Sequence, residues 1–309
     1  MKILVTGPSS MIGREVIKSL KKRGTYDIYP VYHEDCDLTN QQDTDNIFNK
    51  ICPDYVIHLA GFNGGIEFNR LYPEQIFEKT SRMAINVLSA CRMIKPKKIL
   101  SVLPSCSYPD TSNEILEEKD LWNGLPNKSV DCHGLSKRIL HAYSLQLRKK
   151  NINAICCVLT NCFGPFDKFD KQRAKVVGSL IKKFVDAEEG DLEVVDCWGT
   201  GAPLREFMFA PDAGEAIVQA LEHYERETPL NIGSNIEVSI KELVECIVKV
   251  VGYKGECNWM TDKQDGQMRK LLDTKTMREK LKVPITPLED GITETVNWYR
   301  NKVAEGELV

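Results

Sequence analysis

Two kinds of hydrophobic pattern alternate along the first half of the chain. Short runs of apolar, strand-forming residues are each followed by a segment in which apolar residues recur at helical spacing. Repeated strand–helix units of this kind predict an α/β fold, a doubly wound parallel sheet with helices on both faces. The predicted strands are residues 2–6, 28–31, 55–60, 99–103 and 154–159, and the predicted helices are 14–22, 45–50, 76–93 and 131–149.

The pattern changes after Gly164 and Pro165, where a polar and basic stretch follows. Beyond this point the elements are mixed, and a last predicted helix reaches Tyr299. We therefore predict a first domain over residues 1–165 and a smaller second domain over 166–309, with some later segments returning to the first. In the second half, helices are predicted near 176–185, 213–223 and 241–251, and a strand near 192–196.

Composition narrows the class of protein. The 309 residues are 42% hydrophobic and 28% charged, which is ordinary for a globular chain. The 41 Lys and Arg residues are balanced by 44 Asp and Glu, so no nucleic-acid partner or anionic membrane is expected. No apolar run reaches the ~18–20 residues that span a bilayer. The 11 cysteines contain no CxxC pair, so we expect a reducing compartment, the cytoplasm, and no metal site.

A glycine-containing turn joins the first predicted strand to the first predicted helix. Glycines at such a turn let the backbone approach a pyrophosphate, whose charge the helix N-terminus then favours. Ser10 occupies the middle position, where its Cβ would crowd a phosphate or its hydroxyl would donate a hydrogen bond. A turn with two glycines also occurs without any ligand. The residues predicted to bind the cofactor here are Gly7, Ser9, Ser10, Met11, Ile12 and Gly13.

The end of the second strand bears on which nicotinamide cofactor is bound. An acidic residue such as Asp37 would bind the adenosine hydroxyls, whereas a 2′-phosphate would need a cation. No Arg or Lys lies between Arg23 and Lys50, so His33 is the remaining candidate in this segment. These residues leave NADH at least as plausible as NADPH. They are also compatible with a solvated acidic loop.

Several longer motifs resemble the GDP-L-fucose synthase family of the extended short-chain dehydrogenases/reductases. The resemblance extends over nearly the whole chain. It implies a Rossmann-type cofactor domain, a C-terminal nucleotide-sugar domain, NADPH or NADH as cofactor, a GDP-sugar substrate, and a homodimer formed through the helices near 76–93 and 131–149. The motifs lie at residues 59–61, 64–66, 72–73, 104–109, 160–165, 198–207 and 265–273.

The same resemblance assigns binding residues. A tryptophan face can cover a base or sugar, and arginines bind diphosphates through paired, charge-assisted hydrogen bonds. Structural salt bridges are the alternative explanation for the arginines. The implied cofactor residues are Leu59, Ala60, Gly61 and Lys137, and the implied substrate residues are Asn161, Lys175, Trp198, Arg205 and Arg269.

The catalytic positions depart from the family pattern. The family's Tyr-x-x-x-Lys places both side chains on one helical face, and here it reads His133 to Lys137. Imidazolium would replace the tyrosine as proton donor, although a neighbouring lysine disfavours that charged form. The other interpretation is that His133 is only a polar helix residue. The family's strand-end hydroxyl position is Pro104.

Two further positions concern epimerisation in the family. Cys106 matches the residue that removes a proton beside the keto group, and strand alternation predicts that it shares a face with Pro104 while Ser105 and Ser107 point away. Lys175 occupies the position where the family has a histidine. It could act as an acid, or it could be a surface charge or a diphosphate ligand.

Three functions remain open from the sequence. The first is an NAD(P)H-dependent reductase/epimerase acting on a 4-keto GDP-sugar, either a variant deoxyhexose or a heptose. The second is an epimerase without net reduction, with Cys106 and Lys175 on opposite sides of the sugar ring. The third is a GDP-sugar or dinucleotide-binding homologue without catalysis, including a partner subunit of another enzyme.

Overall fold

Strands and helices alternate from the first residues. The structure, a computed structural model, describes residues 1–110, 115–263 and 265–308. Its strands are β1 (Lys2–Thr6), β2 (Asp27–Val31), β3 (Tyr55–His58), β4 (Lys98–Pro104), β5 (Ile115–Leu116), β6 (Ala154–Leu159), β7 (Asn161–Phe163), β8 (Val194–Trp198), β9 (Leu204–Phe209), β10 (Leu230–Ile232), β11 (Glu237–Ser239), β12 (Glu256–Met260) and β13 (Arg269–Leu272). Its helices are α1 (Met11–Arg23), α2 (Gln41–Ile51), α3 (Ile66–Leu71), α4 (Pro73–Ile94), α5 (Asp131–Arg148), α6 (Val176–Glu189), α7 (Ala210–His223), α8 (Ile240–Val251), α9 (Lys275–Lys280) and α10 (Leu288–Ala304).

Six of these strands form one parallel sheet in the order β10–β6–β4–β3–β1–β2. Strand β1 shows why its sequence is continuously apolar, since both of its faces are covered. Ile3 and Val5 pack with residues of α1 and α7, whereas Leu4 packs on the opposite face with residues of α4 and α5. The predicted α/β fold with helices on both faces of a parallel sheet is confirmed.

The second half of the chain builds two smaller sheets. A five-stranded sheet runs in the order β11–β9–β13–β5, with β7 paired to β9, and β8 pairs separately with β12. The hydrophobic pattern did not predict β9 or β13. Helices α6, α8 and α10 pack around an aromatic core, in which the ring centroids of Phe169 and Tyr299 lie 4.6 Å apart.

Buried polar side chains join the large sheet to the five-stranded sheet. The fully buried Glu206 of β9 accepts hydrogen bonds from the backbone N–H groups of Asn235, at 2.6 Å, and Leu272, at 3.3 Å. The Asn231 side chain on β10 donates to Leu116 and accepts from the Tyr108 hydroxyl at 2.7 Å. Such bonds are costly to leave unmade in a dry interior, so they fix the two sheets relative to each other.

Several expectations from composition can be compared with the structure. All eleven cysteines are free thiols. Within the described ranges, no group of three or more His, Cys, Asp or Glu side chains could hold a metal ion. In those same ranges, every helix is too short or too polar to cross a membrane.

Candidate functional site

The turn between β1 and α1 is shaped by its two glycines. Gly7 has a left-handed backbone (φ +67°), and a Cβ there would lie 3.0 Å from the backbone nitrogen of Ala60. A Cβ on Gly13 would lie 2.1 Å from the carbonyl oxygen of Gly7. Both positions therefore exclude side chains because the backbone packs against itself and against the end of β3.

Ser10 does not project from this turn. It is the N-cap of α1, where its hydroxyl accepts from the Gly13 N–H at 3.0 Å and donates to the Gly7 carbonyl at 2.8 Å. The backbone N–H groups of Met11 and Ile12 have no acceptor within the helix. The first turn of α1 also lacks acidic residues. The turn therefore fits a dinucleotide pyrophosphate despite the missing middle glycine.

Lys137 lies against the segment that follows β3. Its ammonium donates to the Ala60 carbonyl oxygen at 2.8 Å, and a Cβ on Gly61 would lie 3.1 Å from its Cε. The N–H groups of Leu59 and Ala60 both donate to the Thr6 hydroxyl at 3.2 Å, which fixes this segment. Burial lowers the pKa of Lys137 to about 8. The structure thus brings Lys137 to the same loop as residues 59–61, as the resemblance implied.

This buried ammonium makes the stability of the protein depend on pH. Between the folded pKa of about 8 and the reference value of 10.5, the unfolded chain binds more protons, so the free energy of unfolding rises with pH. The rise amounts to about 3 kcal/mol at ~1.4 kcal/mol per pKa unit. In chemical denaturation between pH 7 and 10.5, wild type should gain this amount relative to Lys137→Met. A pH-independent difference between the two proteins would contradict the lowered pKa.

His33 and Asp37, the residues predicted to bind the adenosine part of the cofactor, differ in their surroundings. His33 is exposed after β2. One Asp37 carboxylate oxygen already accepts from the Thr39 N–H at 2.9 Å and from the Thr39 hydroxyl at 2.8 Å, which lowers the pKa of Asp37. Asp37 therefore stabilises its own loop, and its binding of adenosine hydroxyls stays a prediction.

His133 is buried in the first turns of α5. Its Nδ1 atom is inaccessible to solvent and has no hydrogen-bond partner. Burial, followed by the charges of Lys137 and Lys175, lowers the pKa of His133 well below its usual value. The imidazole is therefore neutral near pH 7. The expectation of an imidazolium proton donor is corrected, because a cation is too costly in this dry, positively charged position.

The backbone around Cys106 differs from the predicted strand. Strand β4 ends at Pro104, and Ser105–Ser107 form a turn of 3₁₀ helix. The alternation argument that turned Ser105 and Ser107 away from Cys106 is therefore wrong, since it requires an extended chain. A Cβ on Gly134 would lie 2.4 Å from the Cys106 carbonyl oxygen, so this glycine lets α5 contact the segment directly.

The charges of three lysines act on the Cys106 thiol. Burial raises the pKa of Cys106, and the charges of Lys270, Lys175 and Lys137 partly oppose this effect. Lys175 is exposed immediately before α6, yet its charge also acts on His133. The structure therefore brings all four predicted catalytic residues, His133, Lys137, Cys106 and Lys175, into one electrostatically coupled cluster.

Lys270 is a site residue that the sequence analysis missed. It neighbours Arg269 on β13, and adjacent strand residues face opposite sides. The Arg269 guanidinium forms an ion pair with Glu237 at 2.7 Å, whereas the charge of Lys270 acts on Cys106. Burial, together with the charge of Arg205, lowers the pKa of Lys270. The sequence feature that could have identified Lys270 is its position in the motif at 265–273, directly after the predicted ligand Arg269.

The other predicted substrate residues extend the site away from Cys106. Arg205 donates to the Leu204 carbonyl at 2.8 Å, and burial lowers its pKa while the charge of Asp265 opposes this. The Asp265 carboxylate accepts from the Thr200 hydroxyl at 2.6 Å, which fixes the loop after Trp198. Trp198 itself is 71% exposed. In addition, the Asn161 amide donates to the Glu206 carbonyl at 3.0 Å.

The fold and this site together define a dinucleotide-binding α/β protein whose second half contributes the cations Lys175, Arg205 and Lys270 to the site. Residues 3–233 match the sequence model of the NAD dependent epimerase/dehydratase family, and the chain belongs to that family. The Probable GDP-L-fucose synthase 1 of Oryza sativa subsp. japonica is 32% identical over 307 residues, covering 98% of this chain and 93% of the relative.

Two further comparisons also match enzymes that act on GDP-sugars. The GDP-L-colitose synthase of Yersinia pseudotuberculosis is 28% identical over 308 residues, which cover 98% of this chain and 99% of that protein. A crystal structure of a GDP-L-fucose synthetase from Naegleria fowleri bound to NADP matches with a TM-score of 0.89 at 28% identity, covering 98% of this chain and 95% of that one. The resemblance indicated by the motifs is therefore confirmed.

Proposed function

We propose that the protein is an NAD(P)H-dependent reductase/epimerase acting on a 4-keto GDP-sugar. The observation that carries this function is the cluster at the end of β4, where the charges of Lys270, Lys175 and Lys137 act on Cys106 and two of these charges also act on the buried His133. The similarity to GDP-L-fucose synthases over 98% of the chain supports the substrate class. We assign the dinucleotide to residues 1–165 and most of the GDP-sugar to 166–309.

The reduction requires a hydride and a proton. The glycine turn would hold a reduced nicotinamide dinucleotide through its pyrophosphate, and that cofactor would supply the hydride. His133, as a neutral imidazole, donates its N–H proton to the carbonyl oxygen while its other ring nitrogen takes a proton from Lys137, so that no imidazolate is left. Lys137 lies one helical turn further along α5, and its lowered pKa of about 8 suits it to replace that proton. The carbonyl oxygen thereby becomes a hydroxyl, and Lys137 recovers its proton from solvent.

The epimerisation requires a base and an acid on opposite sides of a ring carbon. The Cys106 thiolate removes the proton beside the keto group, and Lys175 returns a proton to the other face. The positive charges of Lys137, Lys175 and Lys270 favour both the thiolate and the enolate oxygen. Arg205 and Lys270 contribute positive charge for the diphosphate, and Asn161, Trp198 and Arg269 stay predicted GDP-sugar ligands.

The experiment combines purified protein with GDP-4-keto-6-deoxymannose and NADPH or NADH in heavy water. Loss of reduced-cofactor absorbance together with deuterium in the product supports a reductase/epimerase. Deuterium uptake without cofactor oxidation would indicate an epimerase without net reduction. Binding of both ligands with neither change would overturn the proposal and favour a homologue without this chemistry.

The outer face of α4 supports a homodimer. Phe77 and Ile85 are each 44% exposed and Met93 is 67% exposed, so three large apolar side chains of this helix meet solvent. Helix α4 also packs along α5, so one of its faces is already covered within the chain. A second copy is the proposed partner of the exposed apolar residues of α4.

A charge placed among the exposed apolar residues of α4 should break the dimer. Ile85→Asp buries an unpaired carboxylate in the interface, so the dimer dissociation constant should rise at least about 100-fold. Sedimentation equilibrium measures this constant. Leu192→Asp, at an apolar residue that is 55% exposed elsewhere, serves as the control and should not change it. Equal dissociation constants for the two variants would contradict this interface.

The free cysteines support a reducing compartment. Each of the eleven thiols is unpaired, and six of them are buried in the hydrophobic core, namely those of Cys36, Cys91, Cys156, Cys157, Cys162 and Cys197. Buried thiols of this kind persist where glutathione keeps them reduced. We therefore place the protein in the cytoplasm.

A further inference from the structure

A buried histidine lies at the end of β3, outside the residues that the proposed mechanism uses. His58 is fully buried, and the strand register pairs it with Thr6 of β1. Its Nδ1 atom lies 2.8 Å from the Thr6 hydroxyl oxygen. Both faces of this parallel sheet are covered, and most side chains at its centre are apolar. A polar pair persists in such a place only where its hydrogen bonds are made.

The hydrogen bonds around the Thr6 hydroxyl determine the tautomer of His58. A hydroxyl has one hydrogen to donate and two lone pairs that accept. Both lone pairs are used, because the N–H groups of Leu59 and Ala60 donate to this oxygen at 3.2 Å. The hydroxyl hydrogen is therefore donated to Nδ1 of His58. The imidazole accordingly carries its own hydrogen on Nε2.

The surroundings of His58 keep its ring neutral. Burial, followed by the charge of Lys137, lowers the pKa of His58 well below its usual value. An imidazolium would carry a hydrogen on each ring nitrogen and would turn a donor toward the Thr6 hydroxyl. The hydroxyl would then have to reorient and give up one of its two N–H partners. The neutral ring therefore sets the direction of the Thr6 hydroxyl.

The same hydrogen bonds reach Lys137 through Ala60. The N–H of Ala60 is held by the Thr6 hydroxyl, and the carbonyl oxygen of Ala60 accepts from the Lys137 ammonium at 2.8 Å. The next residue, Gly61, lets the backbone lie directly against the lysine stem, since a Cβ there would lie 3.1 Å from the Lys137 Cε. A continuous set of contacts thus leads from His58 through Thr6 and Ala60 to Lys137.

The other side of the His58 ring argues against a role in packing alone. Its Nε2 atom is buried without a hydrogen-bond partner among the described residues, and so is the hydroxyl of Ser101, its neighbour on β4. Buried polar atoms without a partner are costly, and an aliphatic side chain at position 58 would avoid this cost for the ring. The benefit of histidine therefore lies at Nδ1, the nitrogen that faces Thr6.

From these contacts we infer that His58 is a positioning residue of the proposed reduction. Through the Thr6 hydroxyl it fixes the backbone of Leu59 and Ala60, and this backbone in turn holds the Lys137 ammonium. The inference rests on the proposed function, because the effect of His58 on the rate passes through Lys137. His58 itself takes no part in proton transfer.

Two substitutions of His58 test this in the reduction of GDP-4-keto-6-deoxymannose by NADPH. His58→Leu removes the acceptor for the Thr6 hydrogen, whereas His58→Asn places an amide oxygen close to the position of Nδ1. His58→Leu should lower kcat at least about tenfold and leave KM for the GDP-sugar unchanged, because a displaced ammonium costs rate and not binding. His58→Asn should keep kcat within about threefold of wild type.

The other end of the hydrogen bond gives a second comparison. Thr6→Val removes the hydroxyl and should lower kcat as His58→Leu does, whereas Thr6→Ser keeps the hydroxyl and the rate. The double variant Thr6→Val/His58→Leu should be no slower than Thr6→Val, because both substitutions act through the same hydroxyl. If His58→Leu does not fold, the difference between Thr6→Val and Thr6→Ser decides in its place.

His141→Leu is the matched control. His141 is also a buried histidine whose Nδ1 accepts a hydrogen bond, here from the Trp122 indole N–H at 2.9 Å. This variant should keep the wild-type kcat. Nitrogen NMR of isotope-labelled histidine reads the tautomer without any reaction, with the His58 signal identified by its loss in His58→Asn. It should show Nδ1 of His58 without a hydrogen and Nε2 with one.

Three results would overturn the inference: a wild-type kcat in His58→Leu, equal losses in His58→Leu and His58→Asn, or a hydrogen on Nδ1 of His58. Failure of the proposed function gives a different result. If the wild-type protein does not reduce the GDP-sugar at all, the proposed function fails and the inference with it. If wild type and His58→Leu reduce it equally well, only the role of His58 fails.

Discussion

Replacing His133 with alanine is expected to lower the rate of carbonyl reduction by about 10²–10⁴-fold, the usual contribution of a positioned proton donor. The loss should appear in kcat, while binding of cofactor and GDP-sugar is retained. His133 lies on the same face of α5 as Lys137, whose ammonium is fixed on the Ala60 carbonyl beside the cofactor turn. Single-turnover absorbance of the reduced nicotinamide measures the step directly.

A matched variant separates chemistry from folding. His223→Ala removes an exposed histidine at the end of α7 and should reduce the substrate at the wild-type rate. Both variants should unfold at nearly the wild-type temperature if the effect is catalytic. Normal turnover by His133→Ala would remove this residue from the mechanism and leave it as a polar residue of the helix.

The pH profile distinguishes a neutral imidazole from an imidazolium. Because the pKa of His133 lies well below its usual value, the rate should stay level between about pH 6 and 7.5. Because the pKa of Lys137 is about 8, its ammonium is lost above that pH, so the rate should fall as the pH rises through 8. A rate that falls between pH 6 and 7.5 would indicate an imidazolium donor instead.

Replacing Cys106 with alanine is expected to lower solvent-deuterium incorporation at the ring carbons by at least about 10²-fold. No other thiol can take its place if the base must lie among Lys137, Lys175 and Lys270. Carbonyl reduction should persist, because His133 and Lys137 are unchanged. The product should therefore retain the ring configuration of the substrate, which mass spectrometry and proton NMR detect together.

The control for this variant is Cys246→Ala, at a partly exposed thiol on α8. It should exchange deuterium and reduce the substrate like wild type. Retained exchange in Cys106→Ala would assign the base to another residue. Loss of both exchange and reduction would mean instead that Cys106 maintains the shape of the site and does not act as a separate base.

The large sheet could be predicted from the sequence because its signals are local. The fully apolar run of β6 and the buried run Ile3–Val5 of β1 both indicate strands covered on two faces, and the bounds predicted for these two strands agree with the structure. Strand β9 has the polar residues Arg205 and Glu206 near its start and runs directly into a helix, so its sequence did not indicate a strand. Its pairing with β7, β11 and β13 depends on contacts between distant segments.

The sequence predicted which residues belong to the site better than it predicted how they are arranged. The resemblance placed Cys106 and Lys175 near His133, and their charges do act on one another. Strand periodicity failed at Ser105–Ser107 because the chain leaves the sheet at Pro104 and turns into a 3₁₀ helix. Lys270 was missed because the choice between two adjacent cations depends on which face of β13 meets Cys106. The sequence alone does not contain that register.

The contact between Gly134 and the Cys106 carbonyl has a consequence for how this site can change. A main-chain carbonyl, that of Cys106, sets how closely the turn after β4 approaches the helix that carries His133. The side chain at position 133 can therefore differ, imidazole here and phenol in the family pattern, while the backbone that positions it stays the same.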